Sequence, residues 1–121
     1  MEYVDYIKDV FEDIADIKVK SMFGGYGIYH AGVIFALIID NELYFKADVD
    51  LASYYKTHNS TPFTYTAKGK QVSVSYWKVP EEIIEDQDQL KEWFYKSFSV
   101  AQNSKKQPKR RGVTYVENVL T

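Results

Sequence analysis

The chain has no cysteine, only two histidines and no arginine before position 110. Without cysteine there can be no disulfide, thiolate metal site or cysteine nucleophile, and a reducing compartment suits such a chain. The histidines, His30 and His58, lack the His-x-x-x-His spacing that sets two imidazoles on one helical face. Each is expected to sit exposed, one at a hairpin turn and one in a loop, without a chemical task. No serine stands in Gly-x-Ser-x-Gly, and none has a histidine placed by sequence to activate it. The acid pairs Asp48/Asp50 and Glu81/Glu82 fall where helices are expected to start, so capping and the helix dipole account for them. Nothing left in the sequence builds a catalytic site, and no enzyme activity, cofactor or metal is expected.

Long apolar runs are missing too. The longest, Val33 to Ile39, reads as a buried strand and falls far short of a membrane span. Met1-Glu2-Tyr3-Val4-Asp5 lacks the basic start and apolar stretch of a secretory signal. The expected location is the cytoplasm, with no membrane partner.

What is present suits one globular domain. The 121 residues are 45% hydrophobic and 26% charged, enough to bury one core and too few for two. The net charge of -2 hides an asymmetry: residues 1–102 hold 10 basic and 16 acidic side chains, whereas residues 103–121 hold five and one. An acidic body repels phosphates, so direct contact with nucleic acid would rest on the tail.

From Glu2 to Ile17, Val4, Ile7, Val10, Phe11, Ile14 and Ile17 recur at helical spacing and predict an amphipathic helix. Val19 to His30 and Val33 to Asp40 read as two strands joined by a tight turn at Ala31-Gly32. A second turn at Asn41-Glu42 leads into a third strand, Leu43 to Lys46. Asp48 caps a short helix over Val49 to Lys56, and a hairpin of Phe63 to Thr66 with Val72 to Trp77 follows. Pro80 with Glu81 and Glu82 starts a turn of helix. Asp86 with Gln89 resembles a capping box before a longer helix, whose apolar stripe is Leu90, Trp93, Phe94, Ser97, Phe98 and Ala101. The order helix-β3-helix-β2-helix, with short connections, predicts an α+β fold of two layers, an antiparallel sheet packed against helices. Residues 1–102 form the domain and 103–121 a basic tail.

Gly24-Gly25-Tyr26-Gly27 is the one segment that hints at a ligand, because glycine loops cradle phosphates between a strand and a helix start. Here more strand follows, and the spacing fits neither the dinucleotide fingerprint nor the P-loop. A bulge or sharp bend is the better reading. Aromatic residues are abundant, 11 tyrosines, seven phenylalanines and two tryptophans, so alternating strands must send some to an outer face. Tyr29, Tyr44 and Tyr76 are candidates, and a protein interface suits them better than base stacking, for which interleaved arginines are lacking. Lys105, Lys106, Lys109, Arg110 and Arg111 read either as a solvated tail or as an arm for weak DNA contact.

Ser21-Met22-Phe23-Gly24-Gly25-Tyr26-Gly27-Ile28-Tyr29 resembles the amino-terminal domain of the TfoX/Sxy family, bacterial regulators of natural competence and DNA transformation. Phe35-Ala36-Leu37, Leu43-Tyr44-Phe45-Lys46, Pro62-Phe63-Thr64-Tyr65 and Ser75-Tyr76-Trp77-Lys78-Val79-Pro80-Glu81 follow in the family's order, and the resemblance extends to about Gln102. It implies a fold similar to the secretion-chaperone class and no catalytic residues. Met22, Phe23, Gly24, Gly25, Tyr26, Gly27, Tyr76, Trp77 and Pro80 carry over as motif positions with structural roles. It also implies transcriptional regulation of DNA-uptake genes through a protein partner, a transcription factor such as the cyclic-AMP receptor protein. Family regulators continue into a second helical domain, and the basic tail is expected to be no replacement for it. The competing expectation is a homodimeric, chaperone-like module that binds protein without a role in transcription.

Overall fold

Turn chemistry decides how the middle of the chain folds. Three two-residue turns, Ala31-Gly32, Asp40-Asn41 and Lys68-Gly69, have positive φ at both positions, the signature of the type I′ turn whose twist matches a hairpin. The second lies one residue earlier than expected, because asparagine and aspartate tolerate the left-handed region and glutamate does not. Ala31 (φ 50) has no such tolerance. Ala31→Asn is therefore expected to stabilise the fold by about 1 kcal/mol, read as a higher urea midpoint at unchanged slope.

The computed structural model describes residues 2–22 and 24–106. In chain order the elements are α1 (Glu2–Phe11), β1 (Lys18–Met22), β2 (Gly25–His30), β3 (Val33–Ile39), β4 (Glu42–Lys46), α2 (Val49–Thr57), β5 (Pro62–Ala67), β6 (Lys70–Lys78), α3 (Glu81–Ile84) and α4 (Gln87–Lys106). The strands form one antiparallel sheet in the order β1-β2-β3-β4-β6-β5. The fold is α+β, with helices packed on one face of the sheet.

The extents of two further elements are corrected. The stretch read as a single strand from Val19 to His30 is two, paired from Lys18↔Tyr29 to Met22↔Gly25. Glycine at a turn and glycine at a bulge look alike in sequence, and only the pairing separates them. The first helix ends at Phe11 rather than Ile17. Carboxylates at Glu12, Asp13 and Asp16 oppose the dipole of a longer helix, and the chain leaves through a turn, Ile14 N–H donating to Phe11 C=O at 2.9 Å. Ile14 and Ile17 still pack against the core from outside the helix.

The other helix ends follow their capping chemistry. Asp48 accepts from Leu51 N–H at 2.8 Å at the start of α2. Asp86 accepts from the N–H groups of Asp88 and Gln89 at 3.1 and 3.2 Å and from the Gln89 side chain at 2.9 Å. Those bonds, the Gln89 side chain first, lower the Asp86 pKa. Pro80 is the N-cap of the single-turn α3 rather than its first residue, and α4 runs past residue 102 to Lys106.

α4 lays its expected stripe on the sheet: Leu90, Trp93, Phe94, Ser97 and Ala101 are buried and Phe98 is half-buried. Phe94 stands at the centre, its ring 4.9 Å from Phe35 and 5.7 Å from Phe11 in edge-on contacts. The one polar member of the stripe, Ser97, donates its hydroxyl to the Lys46 carbonyl. Among the described residues no helix is long and apolar enough to cross a membrane.

Candidate functional site

Strand alternation gives each strand one row toward the helices and one away from them. On β6 the inner row is Ser73, Ser75 and Trp77, and the open row is Val72, Val74 and Tyr76. This follows from the register: Trp77 pairs with Phe45 of the helix-covered core, while Tyr76 pairs with Lys46 on the other side. On the neighbouring β5, Thr64 and Thr66 are exposed, whereas Phe63 and Tyr65 are half-buried against the open-face cluster. The hairpin thus directs its apolar residues away from the helices and its polar residues toward them. A sheet that had only to cover its own helices would show the reverse.

These residues belong to a second apolar cluster on the open face. Leu37, Val74 and Tyr76 are buried in it, and Met22, Ile34, Ile39, Tyr44, Phe63 and Tyr65 are half-buried around them. All helical members of the apolar core lie on the other side of the sheet. Tyr44 packs edge-on against Phe63 at 5.4 Å and donates its hydroxyl to Glu42 at 3.2 Å. Glu42 in turn pairs with Lys78 at 2.5 Å. Burial, with Glu42 second, pushes the Tyr44 pKa up to about 12, so at neutral pH this phenol is a neutral hydrogen-bonding group.

The glycine motif shapes one end of this face. Gly24 takes φ +77 in the turn, which a side chain would strain. A Cβ on Gly25 would collide with the Ile38 carbonyl oxygen, and one on Gly27 would fall 2.5 Å from Met22 Sδ and 2.9 Å from Ile34 Cδ1. Met22 and Ile34 therefore occupy the space that Gly27 leaves. Tyr26 is half-buried against the core, and Trp77 is a core residue. Phe23 lies outside the described residues, as do Lys109, Arg110 and Arg111; Lys105 and Lys106 are the last two positions of α4.

Of the three tyrosines expected to point outward, Tyr29 and Tyr44 are half-exposed and Tyr76 is buried among its neighbours. Its ring lies under the Lys46 ammonium, 5.3 Å from its centroid, in a cation–π contact. Alternation can give the face of a residue but not how closely its neighbours cover it.

The histidines are half-buried rather than exposed. His30 Nδ1 lies 2.6 Å from the Asp16 carbonyl, which can only accept, so Nδ1 carries the proton. Its ring stands edge-on to Phe94 and Phe98 at 5.4 and 4.8 Å. His58 bonds through Nδ1 to the Tyr54 carbonyl at 3.1 Å and stands edge-on to Trp93 at 5.1 Å. Both rings are packing elements.

A polar groove of about 470 Å³ opens where α2, β4 and α3 meet, lined by Tyr3, Asn41, His58, Ser60, Lys78 and Glu81 among others. Burial and then Glu81 raise the Tyr3 pKa to about 12, so its phenol is no base at neutral pH. Among the described residues no group of three or more His, Cys, Asp or Glu is placed to hold a metal ion. The open face of the sheet, with its apolar cluster, is the candidate site, and such a surface suits contact with another molecule.

Comparison with known proteins agrees with the motif order. The family model for the TfoX N-terminal domain matches residues 9–101. Protein Sxy from Escherichia coli (strain K12) is 31% identical over 77 residues, covering 64% of this chain and 37% of Sxy. The chain thus spans little more than a third of the length of that relative.

Proposed function

The chain belongs to the TfoX N-terminal domain family, and from that premise we propose that it is a cytoplasmic, non-enzymatic regulator of competence. It acts on the transcription of DNA-uptake genes by holding a protein partner on the open face of its sheet. The observation that carries this reading is the inverted hairpin β5–β6, with Phe63, Tyr65, Val74 and Tyr76 turned away from the helices. Val74 and Tyr76 are buried beneath their neighbours, and the half-exposed apolar surface of Phe63 and Tyr65 above them is stabilised when a partner covers it. The family supplies the cellular setting, in which a transcription factor such as the cyclic-AMP receptor protein is the expected partner. The exposed charges of α1, Glu2, Asp5 and Asp9, disfavour direct binding to phosphates by the body of the domain.

Deleting the gene from its native bacterium tests this reading. Transcripts of DNA-uptake genes are expected to fall, and a copy of the gene supplied in trans is expected to restore them. Unchanged transcripts under competence-inducing conditions would refute it.

A further inference from the structure

The open face carries lysines around its apolar centre. Lys20 pairs with Gly27 and Lys18 with Tyr29 in the β1–β2 register. Both belong to the open row, because the space over Gly27 is filled by Met22 and Ile34 of the open-face cluster. Lys20 holds its ammonium 5.0 Å from the centroid of the Tyr29 ring. Lys70 shares a row with Val72 and Val74, and Lys78 pairs with Tyr44 across β4. Lys18, Lys20 and Lys70 are exposed. Against these cations the face sets Glu42, already paired with Lys78, and, at its β3–β4 turn, the exposed Asp40, whose charge reaches Tyr44. The exposed acids Asp5, Asp9, Glu12 and Asp13 lie on or just after α1, in the helical layer.

Resting on the reading that the open face holds a protein, we infer that its partner is an acidic amphipathic segment. Aliphatic or aromatic side chains of that segment cover the half-buried Ile34, Tyr44, Phe63 and Tyr65, and its carboxylates meet Lys18, Lys20 and Lys70. Charge selects this occupant over the others. A second copy placed face to face would bring lysine rows together, and this chain's own tail is basic, with Lys105, Lys106, Lys109, Arg110 and Arg111. Single-stranded nucleic acid would also meet the lysines. The rings of this cluster are buried or half-buried among Leu37, Ile34, Ile39 and Val74, however, and Glu42 stands beside Tyr44, whereas base stacking needs open ring faces.

The test uses the full chain, labelled with nitrogen-15, and four probes. One is a synthetic amphipathic peptide of leucine, phenylalanine, aspartate and glutamate. The second has lysine at every acidic position, the third has asparagine and glutamine there, and the fourth is a thymidine oligonucleotide. The acidic peptide is expected to shift the amide signals of Leu37, Tyr44 and Val74. It should lose about tenfold in affinity in the double variant Lys18→Glu with Lys20→Glu, and weaken as salt rises. Equal binding of the neutral peptide would overturn the acidic partner while leaving protein docking in place. Preference for the lysine peptide or the oligonucleotide would overturn it as well, as would a dimer by light scattering whose formation shifts the same residues. If no peptide shifts the face, this inference and the docking reading fall together. Each variant is checked by thermal unfolding, and a charge-neutral pair, Lys18→Gln with Lys20→Gln, should show an intermediate loss.

Discussion

Replacing Phe94 with alanine is expected to cost about 3–5 kcal/mol, the usual range for deleting a buried phenylalanine. The side chain is wholly buried in the middle of α4. It joins three parts of the fold: Phe11 of α1, Phe35 at the β3 bulge, and His30 at the end of β2. The bulge itself contributes to this contact. Between Ile28 and Tyr29 the partner strand steps from Ala36 to Ile34, so Phe35 is the extra residue, and both it and Ala36 join the helix-covered core. Alanine at 94 would leave a cavity that rigid sheet backbone on one side cannot fill, and it would forfeit edge-on ring contacts worth about 1 kcal/mol each. Domains of this size are stable by roughly 5–15 kcal/mol, so the variant should be partly unfolded at 37 °C or close to it. Phe94→Leu, which keeps most of the volume, should lose less than half as much. Urea denaturation followed by circular dichroism measures both. A loss below about 1 kcal/mol for alanine would mean that α4 does not pack on the sheet as described.

The second large effect separates two glycines that look equivalent in sequence. Gly25→Ala places a methyl group against the Ile38 carbonyl oxygen and 3.0 Å from Ile39 Cγ1. A backbone oxygen held in the β2–β3 ladder cannot move without breaking pairing, so the expected cost is about 3 kcal/mol. Gly27→Ala meets only side chains, the ends of Met22 and Ile34 and, at an ordinary 3.4 Å, the Tyr29 ring; the first two can rotate aside, and about 1 kcal/mol should suffice. The order matters more than either value. Equal losses, or a larger loss at Gly27, would contradict the close approach of β2 and β3 at Gly25.

Most of the inner layer was legible from residue spacing. The α4 stripe from Leu90 to Ala101 and the caps at Asp48 and Asp86 read directly, because helical period and capping chemistry are local. The turn at Ala31-Gly32 read as easily. The extra strand did not, since whether Gly24 ends a strand or bends it depends on what residues 18–22 pair with, a contact across space. The end of α1 was readable in part. The acids near its carboxyl end argue against a longer helix, yet Ile14 and Ile17 continue the apolar period because they pack from a turn.

The candidate face was the hardest to read. The alternation of Val72, Val74 and Tyr76 against Ser73, Ser75 and Trp77 is plain in the sequence, and it makes Tyr76 a candidate for the outer face without saying which row the helices cover. Trp77 goes to the helices, opposite Phe45, and the valine row lies with Tyr76 on the open side. The signal that could have revealed this is Trp77 itself, the largest side chain in the hairpin, in a row otherwise made of serines. That row meets the helical layer only at its tryptophan end, and its serines need no cover.

The most direct test of the open face as the docking surface compares two double variants of one hairpin. Phe63→Ser with Tyr65→Ser strips the open row of β5, and Thr64→Ala with Thr66→Ala alters the opposite row of the same strand. Each is placed in the native gene, with transcription of DNA-uptake genes as the readout and thermal unfolding as the control for folding. The first pair is expected to abolish most of the transcriptional response while lowering stability by about 1–2 kcal/mol, and the second pair to leave both close to wild type. A folded Phe63→Ser, Tyr65→Ser protein with a full response, or a response lost only with the threonine pair, would contradict the assignment.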